Sequence, residues 1–134
     1  MLRIAFAALA ATFVLAGAAG ARPQVTTLKG TVGPGYTISL KKGSAAVSRL
    51  APGMYRIVVV DRSPMHNFVV EQSGGGTERA ITSVPFVGTK TITLRLTKGD
   101  WEFYCAPHQS TMKGHFGVGQ ASKEAGDDNG GGNG

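Results

Sequence analysis

Between residues 22 and 119 no apolar residues recur at helical spacing; short β-branched and aromatic runs instead alternate with turns containing Gly and Pro. A chain patterned this way has no helical stripe to bury, so its core has to come from the faces of sheets. Residues 26–32 and 36–40 are β-prone and separated by the turn Gly33-Pro34-Gly35. Residues 45–50 form a weaker run. Ala51-Pro52-Gly53 then leads into residues 54–60, where Tyr55, Ile57 and Val59 alternate with Arg56, Val58 and Val60. Apolar residues on both parities predict a central strand covered on both faces. The run breaks at residues 61–64 and resumes over 66–70, before the loose turn Ser73-Gly74-Gly75-Gly76. Residues 89–97 place Ile92, Leu94 and Leu96 on one face. Lys98-Gly99-Asp100 reads as a hairpin turn into residues 101–105, where Trp101, Phe103 and Cys105 share the inward face. Phe116 and Val118 end the pattern on a last short strand. Seven to eight strands of this kind predict an all-β chain, an antiparallel β-sandwich with Greek-key connections.

The two ends of the chain read differently. Arg3, an apolar run over residues 4–15 and small residues up to Ala21 have the form of a secretory signal, which predicts a cleaved signal peptide at 1–21 and export to the periplasm or beyond the cell. A retained membrane anchor is the rival reading, but a stretch this short and this rich in Ala and Gly suits it poorly. Residues 120–134 are dominated by Gly, Asn, Asp and Lys, with nothing aromatic or β-branched, and are expected to be a disordered tail. One domain over 22–119 remains.

Charge says what the chain is unsuited to. Its 14 Lys and Arg outnumber its 8 Asp and Glu, a formal +6, yet the basic residues are spread singly apart from Lys41-Lys42 and lack aromatic interleaving. That is not the pattern of a nucleic-acid groove. No clustered acidic patch is visible either.

Cysteine usage is sharper. Cys105 is the only Cys, so an exported chain carries a lone thiol with no partner for an intramolecular disulfide. Burial as a small apolar residue, metal ligation and nucleophilic catalysis are the possible reasons for keeping it. Its neighbours favour the metal. Cys105-Ala106-Pro107-His108-Gln109-Ser110-Thr111-Met112 places a thiolate, an imidazole and a thioether in one loop at Cys-x-x-His-x-x-x-Met spacing, directly after a strand. Pro107 turns that loop without requiring an amide donor, and Gly114 lets the chain re-enter the last strand. Two His, one Cys and a weak axial Met is a ligand set suited to electron-transfer copper. The second imidazole has to come from elsewhere. His66 sits where a strand restarts, in Met65-His66-Asn67-Phe68, and Asn67 has an amide able to tie that segment to the ligand loop. His115 has the opposite parity to Phe116 and is expected on the surface.

These residues resemble the small blue-copper proteins, the cupredoxins, and within them the plastocyanin and amicyanin group. The likeness rests on Met65-His66-Asn67 and on Tyr104-Cys105-Ala106-Pro107-His108 through Met112-Lys113-Gly114, with looser similarity from about Gly33 to Val118. It implies a Greek-key sandwich holding one copper ion per chain, with His66, Cys105 and His108 as strong ligands and Met112 as the axial one. It also implies that His108 is the solvent-edge ligand. The spacing from His108 to Met112 lies between the shorter amicyanin loop and the longer plastocyanin one. The expected activity is outer-sphere, one-electron transfer and not an enzymatic reaction. With no acidic patch the family's partner docking surface does not carry over; a monomer is expected instead to dock redox protein partners near the His108 edge, through an apolar patch of Pro107, Met65 and Pro34. A copper-delivery protein of the same fold and a thiol enzyme using Cys105 are the alternatives.

Overall fold

Alternation of apolar and polar side chains builds ten strands in the computed structural model, which describes Gly20 and residues 23–119. The expected tail at 120–134, and the expected signal peptide at 1–21 apart from Gly20, lie outside the described residues. The strands are β1 (Thr26–Val32), β2 (Ile38–Lys42), β3 (Ala45–Ala46), β4 (Arg49–Leu50), β5 (Gly53–Asp61), β6 (Val69–Gln72), β7 (Glu78–Ala80), β8 (Gly88–Leu96), β9 (Gly99–Tyr104) and β10 (Lys113–Val118). A 3-10 turn, Ala106–His108, follows β9.

Two five-stranded sheets, in the orders β3-β2-β1-β5-β8 and β4-β10-β9-β6-β7, form the expected β-sandwich. Leu28, Ile57, Val59 and Leu96 from one sheet face Val70, Trp101, Phe116 and Val118 from the other, all buried. On β5 the odd-numbered residues Tyr55 to Asp61 are buried, while Val58 and Val60 are only half-buried. The expectation of a strand covered on both faces is therefore corrected: among the described residues no third layer lies over the outer face, and Val58 and Val60 are only partly shielded there.

The pairing is mixed rather than wholly antiparallel. β1 runs parallel to β5, and β4 parallel to β10. The expected seven or eight strands become ten because the 45–50 run splits into β3 and β4, one in each sheet, and the short edge strand β7 adds to β6. Lys98 is a bend, while Gly99 and Asp100 already belong to β9, and the expected hairpin is absent because β8 and β9 belong to opposite sheets. Leu94 and Leu96 line the core from one side and Trp101 and Phe103 from the other, so the chain has to cross between them.

Register brings the working loops to one end. Val32, Asp61 and Gly88 lie side by side in the first sheet, and Val69, Tyr104 and Lys113 in the second. The segments 33–37, 62–68, 81–87 and 105–112 therefore leave the sandwich together. Phe68 N–H donates to Thr82 Oγ1 (2.9 Å), and the Thr82 hydroxyl donates to Asp61 Oδ2 (2.7 Å). This buried relay joins the end of β5 to the start of β6. Phe68 itself packs over Gly30, where any Cβ would meet its ring at 2.9 Å.

Candidate metal centre

Cys105 follows β9 at the parity of Trp101 and Phe103, so its side chain enters the sandwich and is 0% exposed. The loop after it folds back on itself. Cys105 N–H donates to the Met112 carbonyl (3.0 Å), His108 N–H to the Cys105 carbonyl (3.0 Å) and Met112 N–H to the His108 carbonyl (2.8 Å). Pro107 sits in the 3-10 turn, near its start, where a missing N–H costs nothing. Met112 is fully buried and its backbone is bonded to both Cys105 and His108.

His66 arrives from the other direction, between β5 and β6, and is 3% exposed. The strand expected from residue 66 begins only at Val69, because the preceding residues are engaged at the site instead of in a ladder. Asn67 Oδ1 accepts the Ala106 N–H (2.7 Å), which ties the His66 segment to the ligand loop. His66 Nε2 lies 2.9 Å from the Gly35 carbonyl. A carbonyl only accepts, so Nε2 carries the proton and Nδ1 of the neutral ring presents a lone pair.

Three donor atoms then converge. His66 Nδ1 and His108 Nδ1 are 3.1 Å apart, and Cys105 Sγ is 3.6 Å from each. Among the described residues they form the one group of three or more His, Cys, Asp or Glu whose ligand atoms all lie within 4.8 Å of one another. A triangle with sides 3.1, 3.6 and 3.6 Å has its circumcentre about 2.0 Å from every corner, close to metal–nitrogen bonds of about 2.0–2.1 Å and slightly inside metal–sulfur bonds of about 2.3 Å. Two ring nitrogens and a sulfur gathered this closely could hold one metal ion between them. His115 stands apart, exposed as its parity predicts, with Nδ1 3.8 Å from Glu102 Oε2 on the neighbouring strand.

The opposite face of β9 carries a different feature. Tyr104 donates its hydroxyl to Glu71 Oε2 (3.0 Å). Burial pushes its pKa up to about 12, helped by that bond and by the charges of Glu71, Glu78 and Glu102. Glu78, Glu71 and Glu102 pair across three adjacent strands, so the fold assembles an acidic row that the linear sequence does not display.

Sequence reasoning missed two sets of supporting residues. Asp61 and Thr82 form the buried relay behind Phe68, and Gly35 and Tyr36 lie against the imidazoles. Gly33-Pro34-Gly35 signals a turn, and Pro34 is expected near the His108 edge, but nothing in the sequence says that Gly35 and Tyr36 meet the imidazoles.

No protein-family model matches the chain, and neither does any curated protein. Solved structures do. Rusticyanin, a copper protein, is 14% identical and covers 69% of this chain and 76% of its own at a TM-score of 0.51. Its reduced form, 15% identical, covers 69% and 77% at 0.51. A reduced amicyanin variant, 14% identical, covers 75% and 87% at the lower score of 0.44. The rusticyanin likeness, added to the two packed sheets, shows that the chain has the cupredoxin fold.

Proposed function

We propose that this domain is a mononuclear blue-copper protein that carries single electrons, with His66, Cys105 and His108 as strong ligands and Met112 as the weak axial one. The observation that carries the reading is the triangle of two Nδ1 atoms and one Sγ, sized for a first-row metal ion. Soft thiolate and thioether donors combined with two imidazoles select copper over calcium or magnesium, and a thioether is not a usual zinc ligand. The fold likeness to rusticyanin, a copper protein, supports the same choice. Copper held there would accept and release one electron by alternating between its +2 and +1 states.

The chain's own contribution is to hold the donors still. His66 is fixed by the Gly35 carbonyl, the two ligand segments are joined through Asn67, and the 105–112 loop is closed by the Cys105–Met112 bond. A prebuilt donor set changes little between oxidation states, which suits a carrier of electrons better than a protein that has to release its metal. A thiol enzyme is disfavoured because Cys105 is fully buried and a nucleophile needs access. His108 is half-buried, and exposed Pro34, Met65 and Pro107 lie in the loops at its end of the sandwich, an apolar surface suited to brief contact with a redox protein. Export to the periplasm or beyond, with the domain acting there as a monomer, completes the proposal; the N-terminal sequence pattern supports the export.

Titrating Cu(II) into the metal-free domain tests this reading. An intense visible thiolate-to-copper band at one equivalent is expected, absent in Cys105→Ser, with the metal resisting a competing chelator in both oxidation states. A colourless complex, or a band that survives in Cys105→Ser, overturns it.

A further inference from the structure

The two imidazoles are oriented by different means. His66 is locked through Nε2 by the Gly35 carbonyl, whereas the ring of His108 makes no hydrogen bond at Nε2 among the described residues. Metal-binding imidazoles ordinarily take their orientation from a partner on the second ring nitrogen. Something else has to hold His108.

Tyr36 is placed to do so. Its ring meets His108 edge-on, with centroids 5.0 Å apart and planes at 87°, and it meets His66 at 5.6 Å and 61°. The imidazoles themselves stand 4.8 Å apart at 81°, so three rings pack mutually edge to face. Such contacts set the positive edge of one ring against the negative face of another, which makes them directional. Tyr36 is 63% exposed while His66, in contact with it, is 3% exposed, so the phenol ring lies on the solvent side of His66. The loop presenting it is itself braced. Gly33 N–H donates to the Thr37 carbonyl (2.8 Å), and the Thr37 hydroxyl donates to the Pro34 carbonyl (2.8 Å). Gly33 and Gly35 both have positive φ, a tight path that glycine alone follows without strain.

We propose that Tyr36 is a positioning residue of the centre: its ring fixes the plane of His108 and shuts the solvent side of the donor triangle. One loop thus orients both imidazoles, His66 through the Gly35 carbonyl and His108 through the neighbouring aromatic ring. The proposal rests on the copper reading for its purpose, but not for its first test. In metal-free protein, the rate at which a thiol reagent reaches Cys105 at fixed pH reports how well the site is shut. Tyr36→Ala is expected to raise that rate about tenfold, and Tyr36→Phe to leave it within about twofold of the original. Because Tyr36 is exposed, neither change threatens folding, and far-ultraviolet circular dichroism verifies this. In copper-loaded protein, Tyr36→Ala is expected to speed removal of the metal by a chelator about tenfold and to let added azide alter the visible spectrum, with Tyr36→Phe again unchanged. A Tyr36→Ala thiol rate within twofold of the original overturns the proposal, as does a Tyr36→Phe rate equal to that of Tyr36→Ala. If the unaltered protein takes up no copper, the functional reading fails while the thiol rates still decide the role of Tyr36.

Discussion

Thr82→Val probes the relay behind the site with little change of shape, since the two side chains are nearly isosteric. Thr82 is 1% exposed, accepts from Phe68 N–H at 2.9 Å and donates to Asp61 Oδ2 at 2.7 Å. Valine removes both bonds together. A buried N–H left without a partner costs about 1–3 kcal/mol, and losing a hydrogen bond to a carboxylate about 1.5–3 kcal/mol. Asp61 keeps only the Ser63 N–H at 3.1 Å. The extra buried methyl group returns about 1 kcal/mol, which leaves a net loss of about 3 kcal/mol. That is a large part of the ~5–15 kcal/mol that holds a domain of this size together. It should appear as a fall in melting temperature of about 12–24 °C, and as a lower urea midpoint at an unchanged slope, measured on metal-free protein. Thr82→Ser keeps the hydroxyl and should cost only about 1 kcal/mol. The valine variant should also lose copper faster, because Phe68 follows His66 by two residues. A loss below about 1 kcal/mol for Thr82→Val, or one no larger than for Thr82→Ser, would refute the reasoning.

Gly114→Ala places a Cβ 2.8 Å from Phe103 Cε1 and closer still to Cζ, in a ring stacked on Phe68, so overpacking should cost about 2–3 kcal/mol in the same urea assay; pairing it with Phe103→Leu should restore most of that. Tyr104 ionises at about 12 in the folded protein against 10.0 for an ordinary tyrosine, so the folded state holds this proton where the unfolded state has lost it. Its contribution to stability is complete below pH 10 and falls away as pH rises toward 12, a decline that Tyr104→Phe should flatten while removing the phenolate absorbance step near 12. Met112→Leu should keep the visible band but raise the reduction potential, read by redox titration, because removing a weak donor destabilises the oxidised ion more than the reduced one.

What the sequence displays and what it conceals follow from the range of the interactions involved. Alternation is local, so strands such as residues 89–97 and 101–105, and the inward direction of Cys105, are legible. The gathering of His66 with Cys105 and His108 is legible for a related reason: a histidine at a broken strand and a loop after a strand both lie at sheet ends. The Asn67 tie follows from adjacency to His66. Strand partners are not local. Alternation tells which face of a strand is buried but not which strand lies beside it, so Lys98-Gly99-Asp100 looks the same as a hairpin or as a crossing. The parallel pairing of β1 with β5 is hidden for the same reason. Glu71, Glu78 and Glu102 become one row only through register across three strands. Thr82 and Asp61 are ordinary loop and strand-end residues until the fold brings them together over 21 positions. Tyr36 reads as the edge of a β-prone run, yet β2 starts at Ile38 and leaves its ring free to cover the imidazoles.

X-ray absorption at the copper edge of the loaded domain tests the central claim most directly. Two nitrogen neighbours at about 2.0 Å and one sulfur at about 2.2–2.3 Å are predicted, with the sulfur shell lost in Cys105→Ser and one nitrogen lost in His66→Ala. A first shell of nitrogen and oxygen alone, unchanged by either substitution, would contradict the account.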